Sequence, residues 1–473
     1  MAKAADAYDA VIIGAGLGGL VCGCYLAKAG MKVLIAEQHF KPGGYCSSFT
    51  RGGFTFDAAA HSFGGYREGG IVNKIIHELD MADRLCIKRN DPSEVIITPD
   101  FRVSYRSDMQ RTIEEFKNAF PLEHENIESF FRVMRSGSPQ LFIKMRKLTF
   151  LDFLNSCFKN EKIKTVLAIP LFTYSGLTSS QISFCAGATI FSEFLMDGGY
   201  YPAGAMQRLP DVFADRFREY GGDLRLSCRI KKIRLRNGRA VGIITEEGEF
   251  IPAGWVISNA DARQTFFSLI GHRNISGDFR EKINTMTPSQ SYFVVYMGLD
   301  SKFRSDMSPG STVNYFPHYD LEKAYTGGER GEITSETGYI LRMSCDASTM
   351  TAVVAAPFRN KKFWHQHKSL FRDKLVSHLE STSVPGLKNH MQFCEAASPY
   401  TMYRYTGNFH GAAYGWASIP SQFADIELKK PPVAQNLFLA GHWTTQGIGI
   451  PGVVYSGFAT AHLIQRMRLR KVL

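Results

Sequence analysis

Apolar residues recur along this chain with two periods, and the period changes several times. Tyr8-Asp-Ala-Val-Ile-Ile13 is a short apolar run, read as a buried strand. Glycines follow at once. From Leu17 the apolar positions fall at Leu20, Val21, Cys24 and Ala27, the spacing of one helix face, with Gly30 placed as a C-terminal cap. Lys32-Val-Leu-Ile-Ala-Glu37 then reads as a second strand that ends on an acid. Residues from about 72 to 192 carry mostly helical periodicity in long Phe-, Lys- and Arg-rich stretches. From Gly221 alternation takes over. Strands are expected at 223–228, 233–236 and 240–245, with Asn237-Gly238 as a hairpin turn, and a buried strand at 255–258. A further β-rich block covers 292–298, 338–344 and 351–356. The last elements are a strand at 436–441, a glycine-rich loop and a helix from Pro451 onward.

Composition narrows the class. The chain has 473 residues, 44% hydrophobic and 21% charged, which supports a large core and excludes a disordered, collagen-like or coiled-coil protein. Lys and Arg total 55 against 44 Asp and Glu, a net charge of +11 that favours an acidic partner, whether nucleic acid, anionic lipid or a phosphorylated ligand, without choosing among them. Nine cysteines are too few for a disulfide scaffold, and no CxxC pair points to a metal. Reduced thiols in a cytoplasmic setting are the simplest expectation. The short polar start is not read as a signal peptide, and no apolar run reaches the roughly 20 residues of a membrane-spanning helix.

Three motifs carry chemistry. In Gly14-Ala-Gly16-Leu-Gly18-Gly19, placed between a strand and a helix, the glycines let the backbone turn tightly and approach a pyrophosphate at the positive end of the helix. Glu37, 23 residues after Gly14, is placed to accept hydrogen bonds from a ribose. The bland alternative is a tight turn in an unrelated α/β protein, but the two strands, helix and acid together favour a dinucleotide. The second motif is Lys41-Pro-Gly43-Gly44-Tyr-Cys-Ser-Ser48 with Arg51-Gly-Gly-Phe-Thr-Phe-Asp57, where a glycine pair lets a loop pass close to the cofactor and Arg51 adds charge near its phosphates. The third is Leu437-Phe-Leu-Ala-Gly441 followed by Gly447-Ile-Gly449-Ile-Pro451-Gly452-Val453. This stretch also matches GxGxxG, yet no strand immediately precedes Gly447 and only 21 residues follow Gly452, so it is not a second nucleotide fold. It opens a helix whose free N–H groups suit the negative charge of a reduced flavin.

Together these motifs resemble the FAD-dependent amine oxidase-like superfamily. Phe56-Asp57, Gly198-Gly199-Tyr-Tyr-Pro202-Ala-Gly204-Ala-Met206, Asn259-Ala-Asp261 and Gly447 to Gly452 narrow the resemblance to its phytoene desaturase, carotenoid isomerase and retinol saturase group. The last motif looks closest to the desaturases, whereas Ala60-His61-Ser-Phe-Gly64 looks more like the saturases.

The resemblance implies an α/β fold, with a Rossmann-like FAD domain of glutathione-reductase type and an interleaved α+β substrate domain under a helical cap. The implied segments are 1–70, 205–262 and 435–473 for the FAD domain, and 71–204 and 263–434 for the substrate domain. Gly14, Gly16, Gly18, Gly19, Glu37 and Gln38 would hold the adenosine half of FAD. Gly44, Arg51 and Ile230 would line the cofactor, and Gly441, Gly452 and Val453 would contact its ribityl chain and ring. His61 is the one catalytic candidate, as a polar group over the flavin, and Tyr66, Tyr174, Tyr200 and Tyr201 are candidate tunnel residues. No metal and no nucleic-acid partner are implied. The implied activity is desaturation, saturation or redox-dependent isomerisation of a long polyene or isoprenoid such as a carotenoid. The rival readings are a flavin amine oxidase and a non-enzymatic isoprenoid-lipid carrier on the same fold, like the Rab GDP-dissociation inhibitors.

A substrate of that kind dissolves in bilayers, so peripheral contact with an anionic membrane is expected of residues 130–158. There Phe142, Ile143, Met145, Leu148, Phe150, Leu151, Phe153 and Leu154 interleave with Arg132, Arg135, Lys144, Arg146 and Lys147. The tail adds Arg466, Arg468, Arg470 and Lys471. The alternative is a buried cap helix with a solvated basic edge.

Overall fold

In the computed structural model, which describes residues 7–423, 428–444 and 449–472, the two periods sort into two seven-stranded sheets. In the first, Tyr8–Ile13 is parallel to Val33–Ala36 on one side and to Phe250–Ser258 on the other, with Asp223–Arg225 beyond Val33–Ala36. The end of Phe250–Ser258 also pairs in parallel with Leu437–Leu439, and its start extends into the Ile230–Arg236/Arg239–Thr245 hairpin. Tyr8–Ile13 reads as an unbroken apolar run because both its faces are covered. Ala10 and Ile12 pack with helices Leu17–Lys28, Arg208–Glu219 and Gly449–Val472, while Val11 and Ile13 pack with Phe266 and Leu269. The final helix crosses the first without a side chain between them: a Cβ on Gly457 would stand 2.2 Å from the Gly18 carbonyl oxygen.

The second sheet runs Met391–Ala397, Tyr292–Leu299, Thr349–Ala355, Tyr339–Met343, Thr312–Tyr315, Glu94–Ile97, Arg102–Tyr105, antiparallel except between Thr312–Tyr315 and Glu94–Ile97. Two of those strands, with Ile87–Arg89, lie inside the stretch whose periodicity predicts mostly helix. They are only three or four residues long, so the helical period of their neighbours dominates any window long enough to detect a pattern. The rest of that stretch is helical, and its phenylalanines form a separate core. The architecture is the expected α/β one, a Rossmann-like parallel sheet beside a mixed sheet with a helical cap.

That cap takes up much of the apolar face expected to meet lipid. Met145, Phe150, Phe153 and Leu154 are buried in the Phe-rich core, whereas Ile143 and Leu148 are 68% and 40% exposed beside exposed Lys144, Arg146 and Lys147. Arg466, Arg468 and Arg470 are exposed on the final helix. Among the described residues no helix is long and apolar enough to cross a membrane, and no cluster of three His, Cys, Asp or Glu side chains suits a metal. All nine cysteines are free.

Candidate active site

The first strand ends where its backbone needs a conformation that a side chain disfavours. Gly14 has φ +96° and donates its N–H to the Ala36 carbonyl. Gly16 then caps helix Leu17–Lys28 with no side-chain hydrogen bond and no acid in the first turn, so the helix's leading N–H groups are left for an anion. Glu37 is buried. One carboxylate oxygen accepts the Ala15 N–H at 2.7 Å and the other the His39 N–H at 2.8 Å, so it braces the glycine turn while bordering the same space. Burial pushes its pKa up, against those backbone donors.

Asn259 ties three chain segments together. Its N–H donates to the Ile13 carbonyl at 2.8 Å, and its side chain occupies the space where Cβ atoms would otherwise stand. A Cβ on Gly16 would lie 2.8 Å from Asn259 Nδ2, and Cβ atoms on Gly18 and Gly441 would lie 2.8 and 2.4 Å from Asn259 Oδ1. Gly441, at φ +84°, is itself held by the Ser456 hydroxyl, which accepts its N–H, and by the Thr444 hydroxyl, which donates to its carbonyl at 2.8 Å.

These groups open onto one cavity of about 1040 Å³. Gly14, Gly16, Gly18, Glu37 and Gln38 border it, as do Gly44, Arg51, Ile230, Gly441, Val453 and His61. Gly19 and Gly452 do not reach the wall: Gly19 packs on the Gly14 carbonyl, 2.2 Å from where its Cβ would be, and Gly452 is half-buried in the final helix. The expected loop residues 445–448, Gly447 among them, lie outside the described residues. Arg51 Nη1 pairs with Glu395 at 2.8 Å, so its charge meets a carboxylate of the second sheet. A glycine-lined helix N-terminus, a buried acid beside it and a second glycine segment across the cavity fit the pyrophosphate and ribose of FAD.

The far wall is one face of the second sheet, and its registers set two rows side by side. Ile96, Asn314, Ile340, Val353, Val294 and Ala397 make a mainly apolar row. Two residues along, Glu94, Thr312, Arg342, Thr351, Tyr296 and Glu395 make a polar one. Glu94, 2% exposed, accepts hydrogen bonds from the Tyr174 hydroxyl and from Asn314 Nδ2 at 2.6 Å. Burial outweighs these donors and pushes its pKa up to about 7. Tyr201 donates to Asp57 at 2.8 Å, and Asp57 also accepts the Met206 N–H, which explains the spacing between those two motifs. Of the four candidate tyrosines, Tyr174 and Tyr201 border the cavity, whereas Tyr66 and Tyr200 pack on Phe63 outside it. His61 is half-buried, with Nδ1 3.2 Å from the Ala59 carbonyl. Burial, then the charge of Arg342, pushes its pKa down to about 3, so it is neutral near pH 7.

Sequence reasoning missed Glu94, Asn314 and Arg342. Each is a polar residue inside an apolar strand, which is a visible signal, but nothing along the chain shows that the three strands are neighbours. Asn259 was visible as part of a motif but not as the contact that joins the glycine segments.

Comparison with known proteins fits this geometry. The profile of the family described as flavin containing amine oxidoreductase matches residues 17–465. Prolycopene isomerase 2 of an Oncidium hybrid cultivar is 25% identical, over 97% of this chain and 84% of its own. All-trans-retinol 13,14-reductase of Danio rerio is 23% identical (92% and 82%), and the lycopene-forming phytoene desaturase of Pantoea ananas 24% identical (96% and 98%). Among solved structures, an oxidoreductase from Methanosarcina mazei superposes with a TM-score of 0.68 over 96% of this chain and 99% of its own, at 16% identity, which speaks to the fold alone.

Proposed function

The chain belongs to the flavin-containing amine oxidoreductase family, with FAD as its cofactor, and from that premise we propose that it acts on carbon–carbon bonds of a long polyene or isoprenoid. The observation that carries this reading is the continuity of the cavity: it runs from the glycine turn to a sheet face where Ile340, Val353 and Val294 offer apolar contact. Relatives that isomerise, reduce and desaturate polyenes match nearly the whole chain, and support the same substrate class.

In this reading Gly14, Gly16, Gly18, Glu37 and Gln38 hold the adenosine half, with Gly19 keeping the turn closed behind them. Gly44, Arg51, Ile230, Gly441 and Val453 place the rest, with Gly452 behind the wall in the final helix. Segments 1–70, 205–262 and 435–473 act as the FAD-holding unit, and 71–204 and 263–434 enclose the substrate. FAD supplies a hydride acceptor or donor at N5 when bound. The protein's part is to align a substrate carbon and to exclude water, which needs no dedicated acid–base pair. His61, uncharged, serves as a hydrogen-bonding group at the wall and not as a proton source. The purified protein should be yellow and release FAD on acid denaturation. Anaerobic incubation with polyenes followed by mass analysis reads the reaction: two hydrogens lost for a desaturase, two gained for a saturase, unchanged mass with altered retention for an isomerase. Turnover of amines with every polyene untouched would refute the reading.

The exposed Ile143 and Leu148, rimmed by Lys144, Arg146 and Lys147, support peripheral docking on anionic lipid, each base contributing about 1 kcal/mol. Binding to vesicles containing phosphatidylserine should weaken with salt and fall at least about a hundredfold in a Lys144→Glu, Arg146→Glu, Lys147→Glu protein, as the loss of three bases implies. Equal co-sedimentation with neutral vesicles, or none with either, would remove the membrane from the account.

A further inference from the structure

The polar row of the second sheet contains a charge that feels the carboxyl of Glu94 but has no ion-pair partner among the described residues. Arg342 is 6% exposed and borders the cavity. Its Nη1 donates to the Gly310 carbonyl at 2.9 Å and lies 3.5 Å from the Thr312 hydroxyl. Its Nη2 has no hydrogen-bond partner, and Arg342 forms no ion pair among the described residues. The ring of Tyr201, 5.3 Å from the guanidinium carbon, offers its π-face instead. Glu94 lies in the same row, but its carboxyl is taken up by Tyr174 and Asn314. Asn314, wholly buried with its Nδ2 committed to Glu94, leaves Oδ1 unpaired as well. A buried guanidinium N–H pair and a buried amide oxygen are costly to leave unmatched, and a purely hydrocarbon occupant matches neither.

We infer that Arg342, with Asn314 beside it, is a recognition site for an oxygen-bearing end of the substrate, so that the cavity takes a polyene or isoprenoid ending in an alcohol or a carboxylate in preference to a hydrocarbon. Arg342 donates to the terminal oxygen in either case. An alcohol also returns a proton donor to Asn314 Oδ1, and a carboxylate also offsets the guanidinium charge. The adjoining row of Ile340, Val353 and Val294 then receives the apolar chain. Arg342 acts here by selecting and registering the substrate. This inference rests on the polyene reading above and goes further than it by specifying the end group.

The test uses the FAD-loaded enzyme and three polyenes of equal length ending in an alcohol, a carboxylate or a methyl group, with binding read from perturbation of the flavin absorbance. The alcohol or the carboxylate should bind at least tenfold more tightly than the methyl compound, and which of the two leads identifies the natural end group. In Arg342→Met that preference should fall to near unity because the alcohol and the carboxylate lose affinity while the methyl compound does not, and Arg342→Gln should retain part of it. The wild-type comparison needs no variant, so a poorly folding Arg342→Met does not remove the test. Equal binding of all three by the wild type would overturn the inference while leaving the polyene reading standing. A uniform loss across all three in Arg342→Gln would assign Arg342 a merely structural role and overturn it too. Failure of every polyene to perturb the flavin would bring down both.

Discussion

A Gly16→Val protein should purify colourless. Gly16 is the N-cap of the first helix and borders the cavity, and in the proposed reading its lack of a side chain lets the helix's leading N–H groups meet a pyrophosphate. A Cβ at Gly16 already stands 2.8 Å from Asn259 Nδ2, and valine adds two methyl groups beside it. The nearest obstruction is a side-chain amide and not backbone, so the fold should survive better than the binding site. Flavin occupancy should fall at least about tenfold, a binding loss of about 1.4 kcal/mol or more. The ratio of flavin to protein absorbance and the FAD released by acid measure it. Full occupancy in the variant would mean that this turn does not hold the cofactor.

The largest loss of stability is expected from Asn436→Leu. Asn436 is buried just before the strand that leads to Gly441, and it behaves like a short length of strand partner. Its Oδ1 accepts the Ala240 N–H at 2.8 Å, and its Nδ2 donates to the carbonyls of Ala240 at 2.7 Å and Gly254 at 2.6 Å. Leucine fills a similar volume but leaves three backbone groups unpaired, at about 1–3 kcal/mol for each buried group. A total of about 4 kcal/mol, read as a drop in the urea midpoint at constant slope, is the expected cost. A change under about 1 kcal/mol would show that water or a shifted strand re-pairs those groups.

How much of this was legible in the residues depends on how far each feature reaches along the chain. The unit around Gly14 to Glu37 is local, so period, turn residues and acid spacing predict it well: the strands found are Tyr8–Ile13 and Val33–Ala36, with helix Leu17–Lys28 between them. The Asn237-Gly238 hairpin is local too. Strands such as Glu94–Ile97 are not. Four residues beside helices carry too little periodicity, and although Glu94–Ile97 pairs locally with Arg102–Tyr105, its place in the sheet comes from pairing with Thr312–Tyr315 far along the chain. The apolar residues of 130–158 show the opposite failure. Their helical spacing is real, but spacing says that a face is apolar and not what covers it, and a core of phenylalanines covers much of that face. The polar row with Glu94 and Arg342 combines both difficulties, since its members become neighbours only through sheet register.

The meeting of Gly18, Asn259 and Gly441 has a consequence for how the protein is made. One wall of the site leaves the ribosome well before the other, and the strand that leads into Asn259 lies between their strands in the sheet. A nascent chain therefore has no complete berth for its flavin until the segment around Gly441 has been translated. Until then the first strand lacks its neighbour Phe250–Ser258, and the first helix lacks the closing helix that crosses it at Gly457. In the proposed reading cofactor loading waits on the segment from residue 437 onward, and a ribosome that stalls before it releases a polypeptide with the nucleotide motif intact and nowhere to seat the nucleotide.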